Sequence, residues 1–197
     1  MDIMKKTLFF VAAMFVSATV FANDAVGNDV PEPVSSTAET TVKILNPPSA
    51  EAVEAPAVPE LEFVVQLHVA LGQAYSVGKT THGTRTIIPI TGGTFEGPDI
   101  RGEVLPGGAD YQMADAITGH IEVEAIYCIR TDDGVTIHIR NSGIINAGED
   151  GMYFTCAPKF EAPADSKYSW LNHKLFICRP EFGGADGGIT LNVWAVK

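Results

Sequence analysis

From residue 61 onward the apolar residues of this chain recur at every second position, and that period excludes most folds. In LEFVVQLHVAL, Phe63, Val65, Leu67, Val69 and Leu71 share one face, and Val64, Gln66, His68 and Ala70 the other. HIEVEAIYCIRT sets Ile121, Val123, Ala125, Tyr127 and Ile129 against Glu122, Glu124, Cys128 and Arg130. VTIHIRN alternates Val135, Ile137 and Ile139 with Thr136, His138 and Arg140, and GITLNVWAV places Ile189, Leu191, Val193 and Ala195 together. Successive side chains of a strand point to opposite faces, so this pattern predicts half-buried antiparallel strands. No stretch carries a convincing helical period. TDDG, residues 131–134, has Asp early in the turn and Gly at the left-handed position, which predicts a tight hairpin with a bulge.

The stretch IIPITGGTFEGPDIRGEVLPGGADYQ, residues 87–112, decides what kind of sheet this is. Its glycines do not grip a phosphate. GGTFEG lacks the G-x-G-x-x-G spacing, no helix pattern follows it, and the stretch holds no Lys-Ser or Lys-Thr pair. They are better suited to backbone work, at positive φ or at close strand crossings. Glycine kinks and bulges let a sheet curl until its edges meet. The expectation for residues 61–197 is therefore an all-β domain. It is a single closed or nearly closed antiparallel β-barrel of about eight to ten strands with a central cavity.

The first 60 residues read differently. Lys5 and Lys6 precede the apolar run TLFFVAAMFV, and VFA ends at Ala22 with small residues at the two decisive positions. Residues 1–22 are thus expected to be a signal peptide, cut between Ala22 and Asn23. No cysteine at the cut invites lipidation. The apolar run is short for a retained span, so no stable membrane insertion is expected after cleavage. Residues 23–60 are rich in Pro, Ala and Glu without either period, which predicts an extended, disordered linker. The localisation that follows is periplasmic or secreted.

Charge removes one class of partner. The formal net charge is -11 with no basic stripe, so nucleic acid is not an expected partner. The three cysteines, Cys128, Cys156 and Cys178, form no C-x-x-C pair. His68, His82, His120, His138 and His173 show no H-x-H or H-x-x-x-H spacing, so no metal site is expected. There is no G-x-S-x-G elbow. Cys156 and Cys178 fall on strands expected to be neighbours, and their register decides whether they bridge.

The remaining candidates are polar groups inside otherwise apolar segments. Arg85 precedes TIIPI, Glu103 lies in GEVLPGG, and Asp110 closes GGAD. Tyr127 shares the apolar face of its strand, and Trp170 and Asn172 sit in WLN. A charge taken inward needs a partner, so an Arg85–Glu103 or Arg85–Asp110 pair inside the barrel is expected, with Tyr127 and Asn172 reaching the same space. As a site, Arg85 would hold an anion or enolate while a carboxylate moves a proton. As structure, the same groups make an ion pair or capped turn. Asp132 and Asp133 belong to the hairpin turn.

The blocks HGTRTIIPITGGTFEGPDIRGEVLPGGADYQ, YCIRTDDGVTIHIRNSG, YFTCAPKFEAPADSKYSWLN and HKLFICRPE resemble, in order, a bacterial and fungal family catalogued as domain of unknown function 3237. Tyr111 stands where that pattern has Trp, and the export signal and linker are departures from it. The resemblance implies a small β-barrel around a central cavity, often assembled into homo-oligomers. Some fungal members are linked to ring closure of natural products. Three functions follow. The first is binding of a small, partly apolar molecule in the cavity. The second is a cofactor-independent lyase, isomerase or cyclase using acid–base chemistry there. The third is a structural oligomer without a ligand. No cofactor is expected.

Overall fold

The computed structural model describes residues 55–148, 151–183 and 187–197, so the predicted signal peptide and most of the predicted linker lie outside the described residues. Ten strands and one short 3-10 helix follow in order among the described residues. The strands are β1 (Leu61–Leu71), β2 (Tyr75–Thr80), β3 (Gly83–Glu96), β4 (Arg101–Val104) and β5 (Ala109–Ala114). β6 (Ile121–Thr131), β7 (Thr136–Gly148), β8 (Gly151–Glu161), the helix Ser169–His173, β9 (Phe176–Phe182) and β10 (Ile189–Val196) complete the chain.

All pairings are antiparallel, and the sheet closes. The ring runs β1-β10-β9-β8-β7-β6, then through β4 and β5 to β3, which pairs back to β1. β4 and β5 divide one position between them, since each pairs with both β3 and β6, and β2 flanks β3 beyond the end of β1. The result is an eight-stranded barrel with two extra strands, as the alternation and the glycines predicted.

The glycine-rich unit is where the sheet bends. Gly93 sits at φ 138, and a Cβ there would overlap the carbonyl oxygen of His68 on β1. Only a residue without a side chain lets β3 and β1 approach this closely, and that approach closes the ring. The TDDG turn forms as read, with Gly134 at φ 87 and its N–H donating to the Thr131 carbonyl at 2.8 Å.

The interior has two halves. One is solid: Phe95, Ile129, Ile137, Ile139, Phe160, Phe176 and Val193 pack against one another. Phe160 meets Phe176 edge to face at 4.8 Å between ring centres. The 3-10 helix stoppers this end with Leu171, and just before it the buried Tyr168 donates its hydroxyl to Asp133 at 2.9 Å. Asp133 also accepts from Thr131, and Lys167 lies 2.9 Å away. Those contacts, Thr131 first and then Lys167, hold the Asp133 carboxyl well below the usual carboxylate range. The other, hollow half leaves one small cavity within the same apolar core.

Candidate functional site

The hollow half is lined by inward-facing positions of β1, β3 and β5 to β10. Its walls are mostly apolar: Val69, Leu71, Ile88, Ile90, Val123, Ala125, Pro180, Ile189 and Leu191, with Phe154 and Phe182 among them. Those two rings stack at 5.5 Å. The cavity volume is about 60 Å³. Against that apolar wall stand Asp110 and Gln112 from β5, Tyr127 from β6, Asn141 from β7 and Cys156 from β8.

Asp110 is the central group. It faces Ile88 on one side and Ala125 on the other, so its carboxyl lies among apolar side chains. Gln112 Nε2 donates to its Oδ2 at 2.7 Å, while its buried Oδ1 has no hydrogen-bond partner. Burial raises its pKa above the usual carboxylate value, and the Gln112 hydrogen bond opposes this only in part. Such surroundings move the balance of a carboxyl towards its neutral form relative to one in water. Asn141 is also buried, and its Oδ1 is likewise without a partner. The Tyr127 phenol is pushed well above its usual range, first by burial and then by the nearby Cys178 and Cys156, so it stays neutral. Burial raises the Cys156 thiol to about 12, with Asp110 adding to the shift.

The polar cluster expected from the sequence is only partly present. Asp110 and Tyr127 share the cavity. Arg85 does not join them. It pairs in register with Gly78 and Met113, on the face opposite to Ile88 and Ile90, and among the described residues it makes no salt bridge. Glu103 lies on the outer surface, where its ion-pair partner is Arg130. The expected Arg85–Glu103 and Arg85–Asp110 pairs therefore do not form.

Asn172 and Trp170 belong to the stoppered end. Asn172 is exposed and clamps the backbone of Ala162, accepting from its N–H at 2.8 Å and donating to its carbonyl at 2.9 Å. Trp170 packs on Phe176 with ring centres 6.3 Å apart. Gln112 and Asn141 are the members that the sequence reading missed. Asn141 continues the inward parity of Ile137 and Ile139, and that was its available signal.

Comparison with known proteins places this barrel. The family model described as "Protein of unknown function (DUF3237)" matches residues 59–196. The chain belongs to the DUF3237 family. A UPF0311 protein of Rhodopseudomonas palustris is similar to it, at 36% identity over 132 residues, which covers 60% of this chain and 85% of the relative. A β-barrel-like protein from Acinetobacter baumannii shares the DUF3237 barrel with a TM-score of 0.66 and 30% identity, covering 73% of this chain and 99% of that one. The hydroalkoxylation enzyme phnH of Penicillium herquei is 31% identical over 119 residues, covering 60% of this DUF3237 chain and 72% of the enzyme.

Proposed function

We propose that this DUF3237 protein acts outside the cytoplasm, in the periplasm or as a secreted protein. There it takes a small, mostly apolar molecule into the hollow half of its barrel, and Asp110 exchanges a proton with it without a cofactor. The observation that carries this reading is Asp110 Oδ1, buried in an apolar cavity with no partner of its own. Buried acceptors are normally satisfied, and an exception aimed into a cavity is a place for a ligand.

The volume bears on the ligand. A cavity of about 60 Å³ admits only a small end of a molecule, such as a short alkenyl or branched group. The remainder would lie at the mouth against Leu71, Phe154 and Phe182.

The chemistry that suits one carboxyl of raised pKa is addition of a hydroxyl across a carbon–carbon double bond. Neutral Asp110 gives its proton to one alkene carbon. The hydroxyl oxygen bonds to the other carbon, and its proton returns to Asp110. Nothing is oxidised or reduced, and the acid is regenerated. The named activity of the Penicillium herquei relative is of this kind, which supports the reading. In this reading Tyr127, a neutral phenol lining the same cavity, orients the hydroxyl.

The test uses ortho-allylphenol as a probe, with the full chain and with Asp110→Asn. The expected result is ring closure to the methyldihydrobenzofuran, slowed by about 10²–10⁴-fold in the variant. The wild-type rate should fall as pH rises past the raised Asp110 value, because the neutral acid is consumed. Probe binding without turnover leaves a binding protein. Turnover unchanged by Asp110→Asn overturns the role of Asp110.

A further inference from the structure

Cys156 on β8 and Cys178 on β9 are direct register partners, and both side chains are buried inside the barrel. Theirs is also the sole register pair between these two strands among the described residues. By contrast, β7 pairs with β8 from His138–Glu161 to Gly148–Gly151, and β9 pairs with β10 from Ile189–Phe182 to Ala195–Phe176. The β8–β9 seam is thus the least hydrogen-bonded join in the ring.

We infer that Cys156 and Cys178 close a disulfide across this seam, in the wall of the cavity. Side chains directly opposite on antiparallel strands have Cβ atoms about 4.5–5.5 Å apart, and a disulfide needs about 3.5–4.5 Å, so a small local closure suffices. Room for the sulfur to turn is provided on the other side. Cys156 Sγ lies over Gly143 of β7, in space that a Cβ at that position would fill. Rotation about the Cys156 Cα–Cβ bond carries Sγ from above Gly143 towards β9. Cys128 does not compete. It stands on the opposite parity of β6, across from His138.

The step balances with a disulfide of the glutathione class as oxidant. A Cys156 thiolate attacks it and releases one glutathione. The Cys178 thiolate then attacks the mixed disulfide and releases the second. Two electrons pass from the protein sulfurs to the glutathione sulfurs, and both thiol protons leave with them. Burial holds both thiols protonated in the folded barrel, so the exchange belongs to folding, before β9 docks.

Trypsin separates the three cysteines, cutting after Arg101, Arg130, Arg140, Lys159 and Lys174 but not at the Arg179–Pro180 bond. The full chain is refolded in a glutathione redox buffer, digested without reductant and weighed. The expected product joins the peptide holding Cys156 to the peptide holding Cys178. Reduction should lower the melting temperature by about 10 °C, and Cys178→Ser should melt at one temperature with or without reductant. Three alkylatable thiols after oxidative refolding, or a bridge involving Cys128, overturns the inference.

Discussion

Ala125→Val probes the cavity directly. Ala125 lines the hollow and is the register partner of Asp110 on β6. Two added methyl groups point into a space of about 60 Å³. At about 24 cal/mol per Å³ of cavity removed, filling it is worth about 1.4 kcal/mol, and two buried methyl groups at about 0.8 kcal/mol each give a similar figure. Part of that gain depends on pH. The folded pKa of Asp110 lies above its ordinary value of 3.8, so below that value both folded and unfolded chains hold the proton and the group is silent. As pH climbs through the raised value, the folded chain must ionise a desolvated carboxyl, and stability falls. Valine excludes more water from Asp110 and deepens that fall. Urea unfolding at a pH about one unit below that ordinary value should therefore show the full gain of about 1.4 kcal/mol with an unchanged m-value, shrinking at neutral pH. A variant less stable than the parent at acid pH would falsify the reasoning, because it would mean that the space beside Asp110 is already packed. The same substitution should weaken retention of ortho-allylphenol.

Two further substitutions separate the halves of the molecule. Phe160→Ala removes the ring packed on Phe176 in the solid half and should cost about 3–5 kcal/mol in denaturant unfolding. Arg85→Ala changes an outward-facing side chain and should leave probe binding within error of the parent, measured by calorimetry. A loss of binding would return Arg85 to the site.

Where one face is apolar and the other polar, the sequence reports the fold directly. The inward positions of β6, β7 and β10 are those that the alternation marked, from Val123 to Ala195. β1 shows the limit. A register shift between Phe63 and Val65 places Phe63 on the outside against Trp194, while Val64 is buried. An inserted residue leaves no trace in a count of alternating positions. Arg85 was misplaced for a different reason. TIIPI is apolar on both faces, with Ile88 and Ile90 inward and Ile87 and Pro89 along an outer groove beside Tyr111, so parity carries no information there. Asp110 was found as a charge beside apolar residues. Its partner, Gln112, is an uncharged amide, and an amide at an inward position carries no charge to mark it in the sequence.

The ring is closed by the two ends of the described barrel: Leu61 pairs with Val196, and Lys197 N–H donates to the Glu60 carbonyl at 2.9 Å. This join fixes an order of events. During synthesis β1 has no partner from β10 until residues 189–196 have emerged, and until then an apolar strand stands with one edge bare. A transcript cut short after β9 would leave β1 and β9 both open, each a template for pairing with another molecule. Arrival of β10 is thus itself the step that turns a sticky ribbon into a vessel.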